Sequence, residues 1–205
     1  MSNANPRVLW ISGAFGSGKT TAANRLSERM LGSRIFDPEE VGFMLRHVMT
    51  HEPMHNFQDW PAWRLLVASA VGIISREVSG PIVIPMTFSS AAYAEQIFAA
   101  LASDGVSFRH FVLDVERTEL ERRIAASAEF PDDAERSERV REWRRAKIAE
   151  SERVRHASSG AFDVIDTTHL DPDEVATAIE SRITQRKVTR RSDVAQPVGP
   201  HRPPR

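Results

Sequence analysis

The sequence predicts a three-layer α/β domain in which one five-stranded parallel sheet is covered by helices on both faces. Short apolar runs rich in β-branched and aromatic residues recur at 8–12, 34–36, 82–85, 108–115 and 162–166. Segments with apolar residues at helical spacing separate them, and parallel strands need crossovers of the kind helices supply. A chain of 205 residues, 41% hydrophobic and 27% charged, is also long enough to bury one substantial core.

The first run, VLWIS at 8–12, is stopped by Gly13, and a helix is expected over 20–31. The second strand, 34–36, leads into a helix over 38–49 that opens Asp37-Pro38-Glu39-Glu40. Asp stands at the N-cap, Pro at the first helical position and an acid at the third, a capping box. The apolar stretch 60–78 carries Arg64, Arg76 and Glu77. It falls short of the roughly 20 unbroken apolar residues of a membrane span, so it reads as a core helix over 61–78. Then follow a strand at 82–85, a helix at 91–103, a strand at 108–115, helices at 116–128 and 135–157, a strand at 162–166 and a helix at 171–186. These make one domain over 1–186 with no internal repeat. Residues 187–205 hold four prolines and five Lys/Arg against one acid, without periodicity, and are expected to be a disordered basic tail.

Lys+Arg 27 against Asp+Glu 28 gives a net charge of −1, which argues against a nucleic-acid partner. The absence of cysteine excludes disulfides, thiolate metal sites and thiol nucleophiles, and fits a reducing cytosol. No apolar signal segment follows Arg7, so a cytoplasmic protein is expected. Stable membrane insertion is not expected, although the basic tail suits transient contact with an anionic surface.

Between the first strand and first helix, Gly13-Ala14-Phe15-Gly16-Ser17-Gly18-Lys19-Thr20 satisfies G-x-x-x-x-G-K-[ST] in the context that motif requires. A chance match somewhere in such a chain is about one in a hundred at average glycine usage. The glycines let successive N–H groups turn inward onto phosphate oxygens. Lys19 reaches the β- and γ-phosphates, Thr20 is the expected Mg²⁺ ligand, and Thr21 approaches the α-phosphate. The fold is therefore expected to be that of P-loop nucleotide-binding proteins, with ATP and Mg²⁺ as cofactors.

Asp37, after the second strand, opens onto the same sheet edge as this loop, where a carboxylate can take a proton from an attacking hydroxyl or hold Mg²⁺ through water. Helix capping alone also explains it. Phe43 and Arg46 on one helix, with Gln58, Trp60, Trp63 and Arg64 at the start of the next, are candidates to floor an acceptor pocket. Core packing or a solvated face is the plain alternative for each.

The runs WISGAFGSGKT (10–20), FDPEEVGFMLR (36–46), FQDWPAWR (57–64) and IVIPMT (82–87) resemble the tunicamycin-resistance ATP-binding protein family. The resemblance is dense over 8–87 and thin beyond. It implies a nucleoside or small-molecule kinase-like fold, ATP binding and a role in tolerating a nucleoside antibiotic. Chloramphenicol phosphotransferase and shikimate kinase are related enzymes that use an acid near the second strand on the acceptor hydroxyl, and Asp37 fits that role. The sequence departs from the wider pattern twice. The third strand ends Pro85-Met86-Thr87 with no acid to organise magnesium. Of the helix motif L-x-x-R-x-x-x-R, Leu120 and Arg123 fit, making Arg123 a catalytic candidate, but the second arginine position holds Ser127.

Residues 129–145 bring Arg136, Arg139, Arg141, Arg144 and Arg145 after Phe130-Pro131-Asp132-Asp133, the composition of a hinged lid that delivers a guanidinium to the transferring phosphoryl. A salt-bridged solvent helix is the competing reading for any one of them. Asp166-Thr167-Thr168 resembles the loop that borders adenine in nucleotide kinases. His47, His51 and His55 recur every four residues, but Pro53 interrupts them and no carboxylates accompany them, which argues against a metal site. The function expected is Mg·ATP-dependent transfer of a phosphoryl group to a small-molecule hydroxyl, the acceptor suspected to be a nucleoside antibiotic. Sequestration of the antibiotic without chemistry, or a kinase of an endogenous metabolite, stands as the alternative.

Overall fold

The computed structural model describes residues 6–50, 56–157 and 162–192. Its strands are β1 (Val8–Gly13), β2 (Arg34–Ile35), β3 (Ile82–Pro85), β4 (Phe108–Asp114) and β5 (Asp163–Asp166). Its helices are α1 (Lys19–Arg29), α2 (Pro38–Val48), α3 (Pro61–Glu77), α4 (Ala91–Ser103), α5 (Arg117–Ala126), α6 (Ala134–Ala146), α7 (Ile148–Ala157) and α8 (Pro172–Ser192). The strands form one sheet in the order β2-β3-β1-β4-β5, and every pairing is parallel. The three-layer α/β expectation holds. β1, buried at five of its six positions, lies at the centre, where both of its faces are covered.

Alternation along β1 divides the core. Val8 and Trp10 face one layer with α3 and α4, while Leu9 and Ile11 face the other with α1 and α8. Trp10 anchors the first layer, stacked on Phe88 at 5.3 Å between ring centroids and met edge-on by Phe98 at 5.3 Å. α3 is a core helix, as its charges predicted. Among the described residues no helix is long and apolar enough to cross a membrane.

Two expectations change. The helix anticipated over 135–157 is two helices: Lys147 ends α6, its N–H reaching the carbonyls of both Trp143 and Arg144, and Ile148 starts α7 by burying itself against Leu120 and Ile124. No Pro or Gly marks this break, because packing of Ile148 rather than local propensity sets it. α8 continues to Ser192, six residues past the expected end at Arg186, through a stretch free of Pro and Gly. The rest of the basic tail, 193–205, lies outside the described residues, as do His51 and His55.

Candidate active site

The glycine-rich loop leaves the carboxyl end of β1 and enters α1. Gly18, the N-cap of α1, has φ 92°, a left-handed conformation that costs glycine nothing. Gly13 is confined by packing: a Cβ there would stand 2.6 Å from the Leu113 carbonyl oxygen and 2.7 Å from Ser17 Oγ. The loop is braced from within by Ser17 N–H donating to Ala14 O at 3.1 Å, and from the segment after β3 by Thr87 Oγ1 donating to Gly13 O at 2.9 Å. Ala14, Phe15 and Gly16 complete the crown, while Thr20 and Thr21 present exposed side chains on the first turn of α1.

Lys19 donates to Ala14 O at 2.7 Å and lies 5.6 Å from the Phe15 ring centroid. Loss of water lowers its pKa to about 7, the Arg144 guanidinium pushes the same way, and Glu39 opposes them. Glu39 keeps an open flank, yet desolvation and the neighbouring Asp37 raise its carboxyl, while Lys19 and Arg46 pull it down. The two ends of this set come from separate elements. Asp37 and Glu39 project from the start of α2, which Asp37 caps by accepting Glu39 N–H at 2.9 Å. Arg144 comes from the last turn of α6. Its guanidinium donates to Ser127 Oγ at 3.3 Å and to Glu129 at 2.6 Å. Ser127, at the place where the helix motif would carry its second arginine, thus orients a different arginine. α6 is docked on the loop by Trp143, which meets Phe15 edge-on at 4.6 Å.

On the α5 side of the loop lies a cleft of about 540 Å³, bordered by Gly16, Thr21, Arg123, Thr168, Leu170 and Pro172. Arg123 donates to Glu119 at 2.7 Å and to Thr167 O at 2.7 Å, with Thr168 O at 3.2 Å. Its guanidinium is occupied in tying α5 to the loop after β5, so it forms a wall of this cleft; the arginine whose charge acts on Lys19 is Arg144. Glu119, accepting from Arg122 and Arg123, is held down to about 2. Asp166 accepts Thr168 N–H at 2.9 Å and its hydroxyl at 2.6 Å, which shapes the far rim and keeps the Asp166 carboxyl below its usual range.

The expected acceptor floor is only partly present. Trp63 is fully buried and spends its indole N–H on Pro38 O at 3.0 Å. Arg64, 9% exposed, donates to Gln96 at 2.7 Å and to Gln58 O, and stacks on Tyr93. Gln58 is buried as well, clamping the segment after β3 through Thr87 O at 2.9 Å and Ser89 N at 3.0 Å. All three are buried and spend polar atoms on contacts within the fold, because the start of α3 and the turn before it face the core. Phe43 and Arg46 do stand exposed on α2, with the guanidinium carbon 5.6 Å from the Phe43 ring centroid. His47 bonds its own helix through Phe43 O at 2.7 Å. Glu39 is the residue sequence reasoning passed over. The signal was there in D-x-E, which puts two carboxylates at the N-cap and second helical position of one helix mouth.

The donor set suits a magnesium polyphosphate. Lys19, short of water and set near Arg144, calls for a polyanion, and the open space around Gly18, where a Cβ would meet nothing within 4 Å, leaves room for one. Thr20, Asp37 and Glu39 offer hard oxygen ligands of the kind Mg²⁺ takes.

Comparisons with known proteins agree with this geometry. The family model of an AAA domain matches residues 8–151. The tunicamycin resistance protein of Deinococcus radiodurans is 29% identical, with a TM-score of 0.66 over 88% of this chain and 96% of that one. A gluconokinase from Sinorhizobium meliloti 1021 (11% identity, TM-score 0.59, covering 93% and 98% of the two chains) shares the fold. So does a shikimate kinase from Acinetobacter baumannii in complex with shikimate (15% identity, TM-score 0.54, covering 89% and 96%). No curated protein matches the chain. With the family model spanning well over half its length, and its P-loop kinase-like fold shared with the tunicamycin resistance protein, the chain belongs to the AAA domain family.

Proposed function

We propose that this protein is a Mg·ATP-dependent phosphotransferase acting on a small-molecule hydroxyl, with tunicamycin or a similar nucleoside antibiotic as acceptor. One observation carries the reading: at the mouth of a glycine loop, the desolvated Lys19 feels the charges of the Arg144 guanidinium and of Glu39, whose carboxyl in turn neighbours Asp37. Cations there stabilise charge on a transferring phosphoryl group, and a carboxylate opposite them receives a proton.

In this scheme the loop N–H groups and Lys19 hold the β- and γ-phosphates, and Thr21 and the Arg123 wall orient the rest of the nucleotide. Thr20, Asp37 and Glu39 would hold Mg²⁺, which would supply charge neutralisation at the phosphate oxygens. Asp37 spends one interaction on Glu39 N–H and directs its carboxylate at the acceptor. The acceptor oxygen bonds to the γ-phosphorus as the bond from that phosphorus to the bridging oxygen breaks. The hydroxyl proton passes to the Asp37 carboxylate, and ADP leaves. Arg144 meets the developing charge, and Trp143 on Phe15 keeps water from the cleft.

Mass analysis of tunicamycin incubated with the protein and Mg·ATP tests the proposal, and a gain of one phosphoryl group is expected. The sequestration reading draws support from the segment after β3, which offers Thr87 rather than an acid and spends that hydroxyl on Gly13 O. An unchanged antibiotic held in stoichiometric complex would favour it. Phosphorylation of another hydroxyl compound in place of tunicamycin would make the protein a metabolite kinase.

A further inference from the structure

A second cavity, of about 450 Å³, lies behind the phosphate loop. It adjoins the nucleotide cleft, sharing Ser17, Thr168 and His169 with it, but extends to another side of α5: Leu120 lines it, while Arg122 and Arg123 on the same helix line the cleft. Its floor is Ser12 of β1 with His110 and Val112 of β4, and α7 roofs it with Ser151 and Glu152. The volume is within the range that holds a monosaccharide or nucleoside.

Three observations give the cavity a chemistry. Ser17, 2% exposed, lines it, and Ser17 Oγ is a buried hydroxyl with no hydrogen-bond partner. A buried polar atom left unpaired in a roomy polar space is a place for a ligand atom. His110 bonds Ser12 Oγ through Nε2 at 2.7 Å and sits between Phe88 and Phe162, ring centroids 6.3 and 5.7 Å away, so a polar pair is set beside flat apolar surfaces. The charged lining is Asp114, Glu116, Glu152 and Asp166 against Arg117 and Arg155. Arg155 lies 3.4 Å from Asp114 and Arg117 is turned to Glu121 at 3.0 Å, which leaves the wall negative. Burial keeps His110 neutral, with its pKa lowered to about 4. An anion would meet net repulsion here, whereas hydroxyls and an apolar ring face would each find a partner.

We propose that this cavity is a second small-molecule site that takes a neutral or cationic, hydroxyl-bearing ring compound and is coupled to nucleotide binding through the phosphate loop. The coupling has a visible route. Ser17 borders both the cavity and the nucleotide cleft, and Gly13, which also lines the cavity, is fastened to Thr87. A group that bonds Ser17 Oγ from behind changes the loop that the phosphates meet in front, and the linkage is reciprocal.

The test titrates the full chain with myo-inositol, uridine and glucosamine, and with gluconate and uridine monophosphate as anionic counterparts. Binding is followed by ligand NMR and by the His110 ring resonances, with and without a non-hydrolysable ATP analogue. Expected are saturable binding of at least one neutral or cationic probe with a shift of the His110 signals, weaker or no binding of the anions at this site, and at least a threefold change in probe affinity on adding the analogue, about 0.65 kcal/mol of coupling. Ser151→Trp, which fills the cavity from α7, should weaken the probe at least tenfold while the analogue still binds. Should that variant not fold, Ser151→Leu makes the same comparison. Lys19→Met should lose the analogue and keep the probe, so failure of the phosphotransfer reading and failure of this one are told apart. Anions shifting the His110 signals as strongly as the neutral probes, undiminished binding in the filled variant, or no His110 shift with any probe at millimolar concentration would each overturn the proposal.

Discussion

Trp143 of α6 meets Phe15 of the phosphate loop edge-on at 4.6 Å, and the next residue, Arg144, is the arginine whose charge reaches Lys19. The contact that docks α6 and the charge that reaches Lys19 are therefore neighbours on one helical turn. Trp143→Ala should lower kcat about tenfold by loosening Arg144, while costing the fold only about 1 kcal/mol because Trp143 is half exposed and the lost ring pair is small. Steady-state kinetics beside urea unfolding checks this, and a loss of stability with kcat intact would mean that the contact only braces the helix.

Arg144 and Arg123 should separate kinetically. Arg144→Ala is expected to reduce kcat about a hundredfold or more with little change in KM for ATP, since an arginine that meets transition-state charge acts on the chemical step. Arg123→Ala, which unties α5 from the Thr167 and Thr168 carbonyls, should chiefly raise KM for ATP. The reverse pattern would return the catalytic role to Arg123.

Nucleotide binding should take up a proton. Lys19 titrates near 7 in the free protein, mainly because burial removes its water, and a bound triphosphate restores the advantage of its charged form. Affinity for ATP should thus fall as pH rises above about 7, and calorimetry in buffers of different ionisation heat should show uptake there and little well below it. An affinity flat across that range, or one that survives Lys19→Met, contradicts the role given to this lysine.

Stability should fall on acidification through a single buried imidazole. His110 has a folded pKa near 4 against 6.5 when free; burial is the cause, and Asp163 opposes it only in part. The unfolded chain binds the proton first, so stability is lost as pH drops from about 6.5 to 4 and the loss levels off below, on the order of 3 kcal/mol in all. Chemical denaturation at successive pH values should show this slope, flattened in His110→Gln. An unchanged slope in the variant would place the titration elsewhere.

Arg7 should matter for folding and not for the site. Its guanidinium donates to the carbonyls of Ser75, Val78 and Ser79 at the end of α3, where a positive charge also meets the negative end of the helix. Arg7→Ala should cost about 2 kcal/mol in urea unfolding and leave nucleotide affinity unchanged.

The parallel sheet and phosphate loop were legible because both rest on local pattern: apolar runs such as VLWIS at 8–12, and glycines at fixed offsets before Lys19. The acceptor side was less so. Trp63 and Arg64 looked like pocket residues by type, and the structure buries both at the start of α3, since facing is decided by tertiary packing. The division between α6 and α7 was hidden for the same reason, since Ile148 bends the chain by burying itself and leaves no Pro or Gly as a sign. Ser12 and His110 carried a signal that went unread: polar residues inside otherwise apolar strands, set diagonally on β1 and β4, where Ser12 is in register with Val112 and His110 with Trp10.

β2 consists of two residues at the margin of the sheet, both exposed, and it delivers Asp37. The machinery for the nucleotide is built on β1, β4 and β5, whereas the carboxylates hang from this slight outer rung. Under the proposed function, changes at that rung would redirect which hydroxyl is served while leaving the grip on the phosphate donor undisturbed.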